Sequence, residues 1–262
     1  LEMADFYVSP SEFLIDRYVD WGLPREKFRM IENGLTVEDI VPPRPLPKGG
    51  RRNRFGFFGQ VSEFKGLHVL VEAVSRVSDK DWGDDSALMI FGGNLERQPE
   101  AFQKKFNELT EKAGNRVRFY GSYRSAELPS LMKDVDWLII PSIWWENSPV
   151  VIQEAFLHGR PIIASNIGGM AEKVTHNVDG LHFRNASVED LVDRLTDVLR
   201  TPDLWDRLRA RIKRPIDRQE CARRHTEVFN ALLGASAGQD TPAKPAAAQG
   251  TQVLDRAVAQ PL

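Results

Sequence analysis

The sequence predicts an α/β fold built on a doubly wound, parallel sheet of six strands, and three observations lead there. From residue 54 onward, short apolar runs at 54–58, 87–91, 116–120, 137–140, 161–164 and 180–183 alternate with helical patterns. The helices are expected at about 66–78, 99–113, 125–134, 148–158, 169–176 and 187–200, and such alternation builds a parallel sheet. Runs such as Trp137-Leu138-Ile139-Ile140 are apolar throughout, as strands covered on both faces are. Gly59, Gly92, Gly121, Ser142 and Gly168 fall at the carboxyl ends of these strands, where open α/β sheets bind their ligands.

The N-terminal residues 1–35 read as strand, helix and turn. Tyr7-Val8-Ser9-Pro10 leads into a helix over 12–21, in which Phe13, Leu14, Tyr18 and Trp21 keep helical spacing. Gly22 ends that helix and Asn33-Gly34 signals a turn. Four prolines (Pro42, Pro43, Pro45, Pro47) followed by Gly49 and Gly50 make a stiff linker over 36–53, the expected domain boundary. The sheet domain is expected to cover 54–234, closing with helices at about 202–213 and 216–233. Past Gly234 the chain turns to Ala, Gln, Pro, Thr and Gly with few apolar anchors, so 235–262 is expected to be disordered. The chain opens at Leu1 inside what reads as an ongoing element, and is expected to be a fragment of a longer protein.

With 262 residues and 42% hydrophobic content, the chain can bury one or two substantial cores. A net charge of −2 gives no reason to expect nucleic acid as a partner. The single cysteine excludes an internal disulfide and fits a reducing, cytoplasmic setting. No apolar run approaches the ~20 residues of a spanning helix.

The most informative stretch is Glu146-Asn147-Ser148-Pro149, which turns into a helix running towards Gly159. Ser148 suits the N-cap and Pro149 the first helical position. Val150, Val151, Ile152, Ala155, Phe156 and Leu157 cover almost every face, so the helix is expected to be buried. Glu154 stands in its middle, and a carboxylate there is costly unless something pairs with it. The helix N-terminus offers N–H groups and a positive dipole end to a phosphate. Glu154 lies roughly 8 Å further along, about the distance from a diphosphate to the hydroxyls of its ribose. The alternative is a structural acid bonded to a neighbouring loop, with Glu146 merely favouring the dipole.

Two glutamates with seven residues between them across a loop-to-helix junction resemble the donor site of retaining glycosyltransferases of the GT-B fold, glycosyltransferase family 4 (glycosyl transferases group 1). Further motifs follow in the family's order: Phe57-Phe58-Gly59-Gln60 with Lys65-Gly66, Leu88 to Gly93, Val117 to Gly121, Ile140-Pro141-Ser142, Pro161 to Ser165 and Gly168-Gly169. The likeness covers roughly residues 1–230. It implies that the sheet is the Rossmann-like C-terminal half of a GT-B fold and that 1–35 is the end of the acceptor-binding domain. It implies sugar transfer from a nucleotide-sugar to a glycan, lipid-linked or small-molecule acceptor with retention of configuration. The acceptor would be met through the missing N-terminal domain, and this half alone is expected to be inactive.

The resemblance also implies roles. Glu146 would meet the transferred sugar and Glu154 the donor ribose. Lys65 would place its charge on the donor phosphates, beside Gly59 and Gln60; the family usually carries Arg where Gln60 stands, which weakens the clamp. Gly121 and Tyr123 would hold the base, Gly168 and Gly169 the sugar and phosphates, and Asn147, Ser148 and Val150 the phosphates at the helix start. No cofactor or metal is expected, the nucleotide-sugar being a co-substrate. Read alone, Lys65 is a surface lysine, Tyr123 a turn tyrosine, and Gly168-Gly169 a tight helix start.

Asp134-Val135-Asp136 spells the acid pair of metal-dependent glycosyltransferases, but it bridges a helix end and a strand start, and Asp136 is expected to point at backbone. His158 and His182 lack partners at ligand spacing. The basic stretch Arg207, Arg209, Arg211, Lys213, Arg214 and Arg218 reads as a solvated helix face, or as a peripheral contact with an anionic leaflet at the inner face of the membrane. Two rival functions share these features: a sugar-nucleotide 2-epimerase of the same fold and a non-catalytic nucleotide-sugar binding module.

Overall fold

The structure is a computed structural model that describes residues 3–37 and 39–237. Among the described residues there are two sheets. Near the N-terminus β1 (Tyr7–Ser9) and β2 (Phe28–Met30) pair in parallel across α1 (Glu12–Asp20). Ser11 caps α1, its hydroxyl accepting from Leu14 N–H at 3.2 Å. The three-residue β2 was not expected, because Phe28-Arg29-Met30 is too short to show a period.

The main sheet contains β3 (Arg54–Phe58), β4 (Ala87–Phe91), β5 (Val117–Gly121), β6 (Trp137–Ile140), β7 (Ile162–Ser165) and β8 (Gly180–Phe183). All neighbours are parallel, in the order β5-β4-β3-β6-β7-β8. The order reverses between β3 and β6, so the crevice above their carboxyl ends is the topological switch point. Four of the six strands keep their expected bounds, and β5 and β7 are shifted by one residue. The helices are α2 (Leu67–Arg76), α3 (Asp79–Trp82), α4 (Glu100–Ala113), α5 (Leu128–Met132), α6 (Val150–Leu157), α7 (Gly168–Lys173), α8 (Val188–Arg200), α9 (Leu204–Arg209) and α10 (Arg218–Ala237). Each expected helix is there, most of them shorter than expected and α10 longer. Only α3 was missed: four residues capped by Ser78, whose hydroxyl accepts from Asp81 N–H.

Two apolar layers sandwich the sheet, because the strands are apolar on both faces. Phe55, Leu88, Ile139 and Ile163 pack with Leu70, Val74, Leu195 and Leu199 on one side. Met89, Leu138, Ile162 and Ala164 pack with Ile152, Ala155 and Met170 on the other. At the amino ends of the strands polar groups replace this packing. Asp136, wholly buried, is paired with Arg44 at 2.8 Å and Arg52 at 3.2 Å, and accepts from Arg54 N–H. The expectation that Asp136 points at backbone therefore holds only in part, since two arginines also hold it. Arg160 is buried too; it donates to the carbonyls of Val135 and Met132 (2.8 Å each), Pro42 (3.0 Å) and Val41 (3.3 Å), and to that of His158. These contacts tie the proline-rich segment to the sheet domain. Burial and the Arg160 charge hold His158 down at about 4, so its Nδ1 accepts from Val41 N–H at 3.2 Å.

Among the described residues, those up to Arg224 form one compact unit and those from His225 onward a second. The described part of the second continues α10 to Ala237, three residues beyond the Gly234 where disorder was expected to begin, and leaves Phe229 and Leu233 exposed. The rest of the expected tail, 238–262, lies outside the described residues.

Candidate donor site

Three loops meet above the switch point, and glycines let them approach. Gly66 opens α2 with φ +66°, and a Cβ there would stand 1.8 Å from the Pro141 carbonyl oxygen. A Cβ on Gly169 would stand 1.7 Å from the Asn147 carbonyl oxygen. Both glycines are therefore fixed by loop–loop contact, a reason the sequence concealed; it suggested approach to a ligand. Gly169 N–H also donates to the Glu146 carbonyl at 2.7 Å, while Gly168 takes φ +56° beside it.

This convergence brings Lys65 and Glu146 together across 81 residues of chain, with Lys65 Nζ 2.6 Å from Glu146 Oε1. Ser142, almost fully buried, donates to the same oxygen at 2.8 Å. Sequence reading placed Ser142 at a strand end but did not see it orienting Glu146; an i,i+4 relation inside an irregular loop carries no pattern.

The start of α6 differs from expectation. Its N-cap is Pro149, with no side-chain cap bond. Ser148 instead donates to Glu32 Oε1 at 2.6 Å, and Asn147 Oδ1 accepts from Ser11. Glu32 in turn pairs with Lys173, which donates to the Pro10 carbonyl at 2.8 Å, and Glu172 accepts from Phe13 N–H at 2.8 Å. The Asn147 and Ser148 side chains thus bind the N-terminal segment, which no local pattern could have shown. The N–H groups that the start of α6 leaves unpaired belong to the residues after the Pro149 cap, Val150 first. Nor is α6 buried all round: Ile152, Gln153 and Ala155 are, but Val150 is 44% exposed and Val151, Glu154, Phe156 and Leu157 are half-buried. The helix roofs the sheet rather than threading the core.

Glu154 has no hydrogen-bond or ion-pair partner among the described residues, and burial pushes its carboxyl above its ordinary value. Tyr123 faces it. Burial and then the Glu154 charge push the Tyr123 hydroxyl up to about 12. The alternative of a structural acid bonded to a neighbouring loop is therefore not what the structure contains. Tyr123, with Gly59, Gln60, Gly93 and Ser122, also lines a hollow of about 250 Å³ over the ends of β3, β4 and β5. Gly121, at the end of β5, takes φ +78° and accepts from Gly92 N–H at 2.8 Å. The structure therefore gathers the expected residues into two groups: Lys65, Glu146, Asn147, Gly168 and Gly169 around one loop junction, and Gly59, Gln60 and Tyr123 around the hollow, with Glu154 near enough to Tyr123 for its charge to act on the hydroxyl. A larger cavity of about 600 Å³, lined by Pro42, His158, Arg209 and Arg214, lies at the opposite end of α6 and holds none of them.

Residues 43–214 match the family model of glycosyl transferases group 1. The chain is 30% identical over 203 residues to a D-inositol 3-phosphate glycosyltransferase of Corynebacterium glutamicum, covering 73% of this chain and 48% of the relative. It is 23% identical over 215 residues to a mannosylfructose-phosphate synthase of Agrobacterium fabrum, covering 78% and 47%. The chain thus spans about half the length of the curated relatives it matches. Among solved structures, Anabaena HepE in complex with UDP and glucose superposes with a TM-score of 0.71 at 22% identity, over 88% of this chain and 64% of that one. Sucrose-phosphate synthase from Thermosynechococcus elongatus superposes with a TM-score of 0.72 at 22% identity, over 90% and 60%. At these identities the structural likeness is one of fold, and that fold is GT-B. Among the described residues no helix is long and apolar enough to cross a membrane.

Proposed function

The chain belongs to the glycosyl transferases group 1 family, and from that premise we propose that it is the donor-binding half of a retaining, family 4 glycosyltransferase that uses a nucleotide-sugar. The observation that carries this reading is the pairing of Lys65 with Glu146 at 2.6 Å, in the loop that leads into α6 and its unpartnered Glu154. Breaking a sugar–phosphate bond leaves negative charge on the departing diphosphate. Lys65 and the N–H groups at the start of α6 would meet that charge as preorganised donors. Glu146, released from Lys65 by the arriving phosphate, would accept from hydroxyls of the transferred sugar. Glu154 would take the ribose hydroxyls, and Tyr123 with Gly59, Gln60 and Gly121 the base and its nearer phosphate. Gly168 and Gly169 hold the Glu146 loop in place. This assignment gives the leaving-group charge to protein groups and needs no resident metal.

The HepE neighbour, crystallised with UDP and glucose, supports a nucleotide-sugar donor. We further assign 1–35 to the end of an acceptor-binding domain, 36–53 to the linker and 54–234 to the donor domain. The acceptor, a glycan or a lipid-linked or small molecule, belongs to the longer protein. Thermal shift of the purified chain against UDP, GDP, ADP and dTDP tests the reading. One of them at a hundredfold excess over its Kd is expected to stabilise the chain by about 2.7 kcal/mol, a rise of several degrees. No shift with any of the four, or with their glucose and mannose conjugates, would remove the donor assignment.

A further inference from the structure

Glu146 presents its two carboxylate oxygens unequally. Oε1 takes both donors, Lys65 Nζ at 2.6 Å and the Ser142 hydroxyl at 2.8 Å. An oxygen with two lone pairs is then filled. Oε2 has no hydrogen-bond or ion-pair partner among the described residues, and the side chain, 22% exposed, is not shut off from solvent. The backbone beneath it is fixed, because Gly169 N–H donates to the Glu146 carbonyl at 2.7 Å.

The two donors on Oε1 differ in how firmly they are held. Lys65 carries its charge on a flexible four-carbon stem, with its side chain 36% exposed, and the donor reading sends it to the arriving phosphate. Ser142 cannot follow. It is 1% exposed, lies two residues beyond β6, and places its oxygen through a single side-chain torsion. Its neighbours on both sides are pinned to the loop that carries Lys65. The Pro141 carbonyl packs against Gly66, where a Cβ would stand 1.8 Å from it, and Ile143 N–H donates to the Phe64 carbonyl at 2.9 Å. Once Lys65 leaves Oε1, Ser142 is the one donor left there among the described residues. Without it the carboxylate would turn freely about its own torsions, and a sugar would have to order it on binding, which costs rotamer freedom.

We propose that Ser142 is a positioning residue for the transferred sugar: its hydroxyl holds Glu146 Oε1, so that Oε2 stays free to accept from a sugar hydroxyl while Lys65 serves the phosphates. The proposal rests on the donor reading above, which puts Glu146 on the sugar. It adds that Glu146 reads the sugar only while Ser142 holds it, and that the nucleotide part of the donor needs no such help.

Calorimetry on the 262-residue chain tests the proposal with UDP, GDP, ADP and dTDP and with the glucose or mannose conjugate of each. The comparison is between the conjugate that the wild type binds most tightly and its own nucleotide. Ser142→Ala should weaken the conjugate by about fivefold, part of what a hydrogen bond to a charged group contributes. The nucleotide should stay within about twofold, a split that general loosening of the loop would not give. Glu146→Ala should weaken the conjugate too. Adding Ser142→Ala to it should shift the conjugate by less than about twofold, because the hydroxyl then has no carboxylate to hold. Equal losses for nucleotide and conjugate in Ser142→Ala overturn the proposal. Losses that add in the double variant overturn it by giving Ser142 a separate role. The two readings also fail separately. Nucleotide binding with no binding of any conjugate, or with full conjugate affinity in Ser142→Ala, removes the sugar role of Ser142 and keeps the nucleotide site. Silence from every nucleotide and conjugate removes the donor site, and the proposal with it.

Discussion

Replacing Arg160 by leucine is expected to cost the fold about 3–4 kcal/mol in urea unfolding, because several buried carbonyls lose their donor at once. Leucine fills much of the volume but donates nothing to Val135, Met132, Pro42, Val41 and His158. Burial, opposed in part by Asp136, draws the guanidinium down to about 10, still well above neutrality, so the wild-type group stays charged across the working range. Lysine should rescue little of the loss, since one ammonium cannot span the fork-shaped set of acceptors that a guanidinium reaches. Because Val41 and Pro42 belong to the proline-rich segment and Met132 and Val135 to the α5–β6 connection, the variant should also loosen amide exchange at both. A change below about 1 kcal/mol would mean that water replaces the arginine readily.

Glu154→Gln is expected to weaken binding while strengthening the empty fold. A carboxylate that holds ribose hydroxyls by charge-assisted hydrogen bonds contributes about 1.5–3 kcal/mol, so nucleoside and nucleoside diphosphate should both bind roughly tenfold to 150-fold more weakly. Without ligand the same carboxylate is a burden. Its folded-state pKa is raised by burial above the ordinary 4.5, so the folded chain holds this proton more tightly than the unfolded chain does. The stability tied to it is complete below about pH 4.5 and is lost as pH rises through the raised value. Glutamine carries no charge to bury. The variant should therefore melt above the wild type at pH 7, and the difference should vanish on acidification. A lower melting temperature for the variant at pH 7 would show a stabilising partner for Glu154 in the empty site.

The sheet was legible because its strands are apolar on both faces and its turns carry glycine at the carboxyl ends. Trp137-Leu138-Ile139-Ile140 can only be a central strand, and it pairs with β3 on one side and β7 on the other. Three-residue β2 and four-residue α3 lie below the length at which a period can be read. In the candidate site, Glu146, Glu154 and Lys65 were singled out by spacing and motif order, and the structure brings Lys65 to Glu146. The hydroxyl of Ser148 could not be placed, because cap preference describes an isolated helix end and a glutamate 116 residues away competed for it. The Lys65–Glu146 contact and the orienting bond from Ser142 depend on how closely two loops approach, which the Gly66 Cα fixes against Pro141.

Calorimetry of Lys65→Ala with a nucleoside and with its diphosphate, at low and high salt, bears most directly on the donor assignment. If Lys65 meets only the phosphates of the donor, the variant should lose diphosphate affinity by roughly tenfold or more and bind the nucleoside as the wild type does. The loss should shrink at high salt, since an accessible charge pair is screened. Equal losses for nucleoside and diphosphate, or full diphosphate affinity in the variant, would contradict a phosphate site at Lys65.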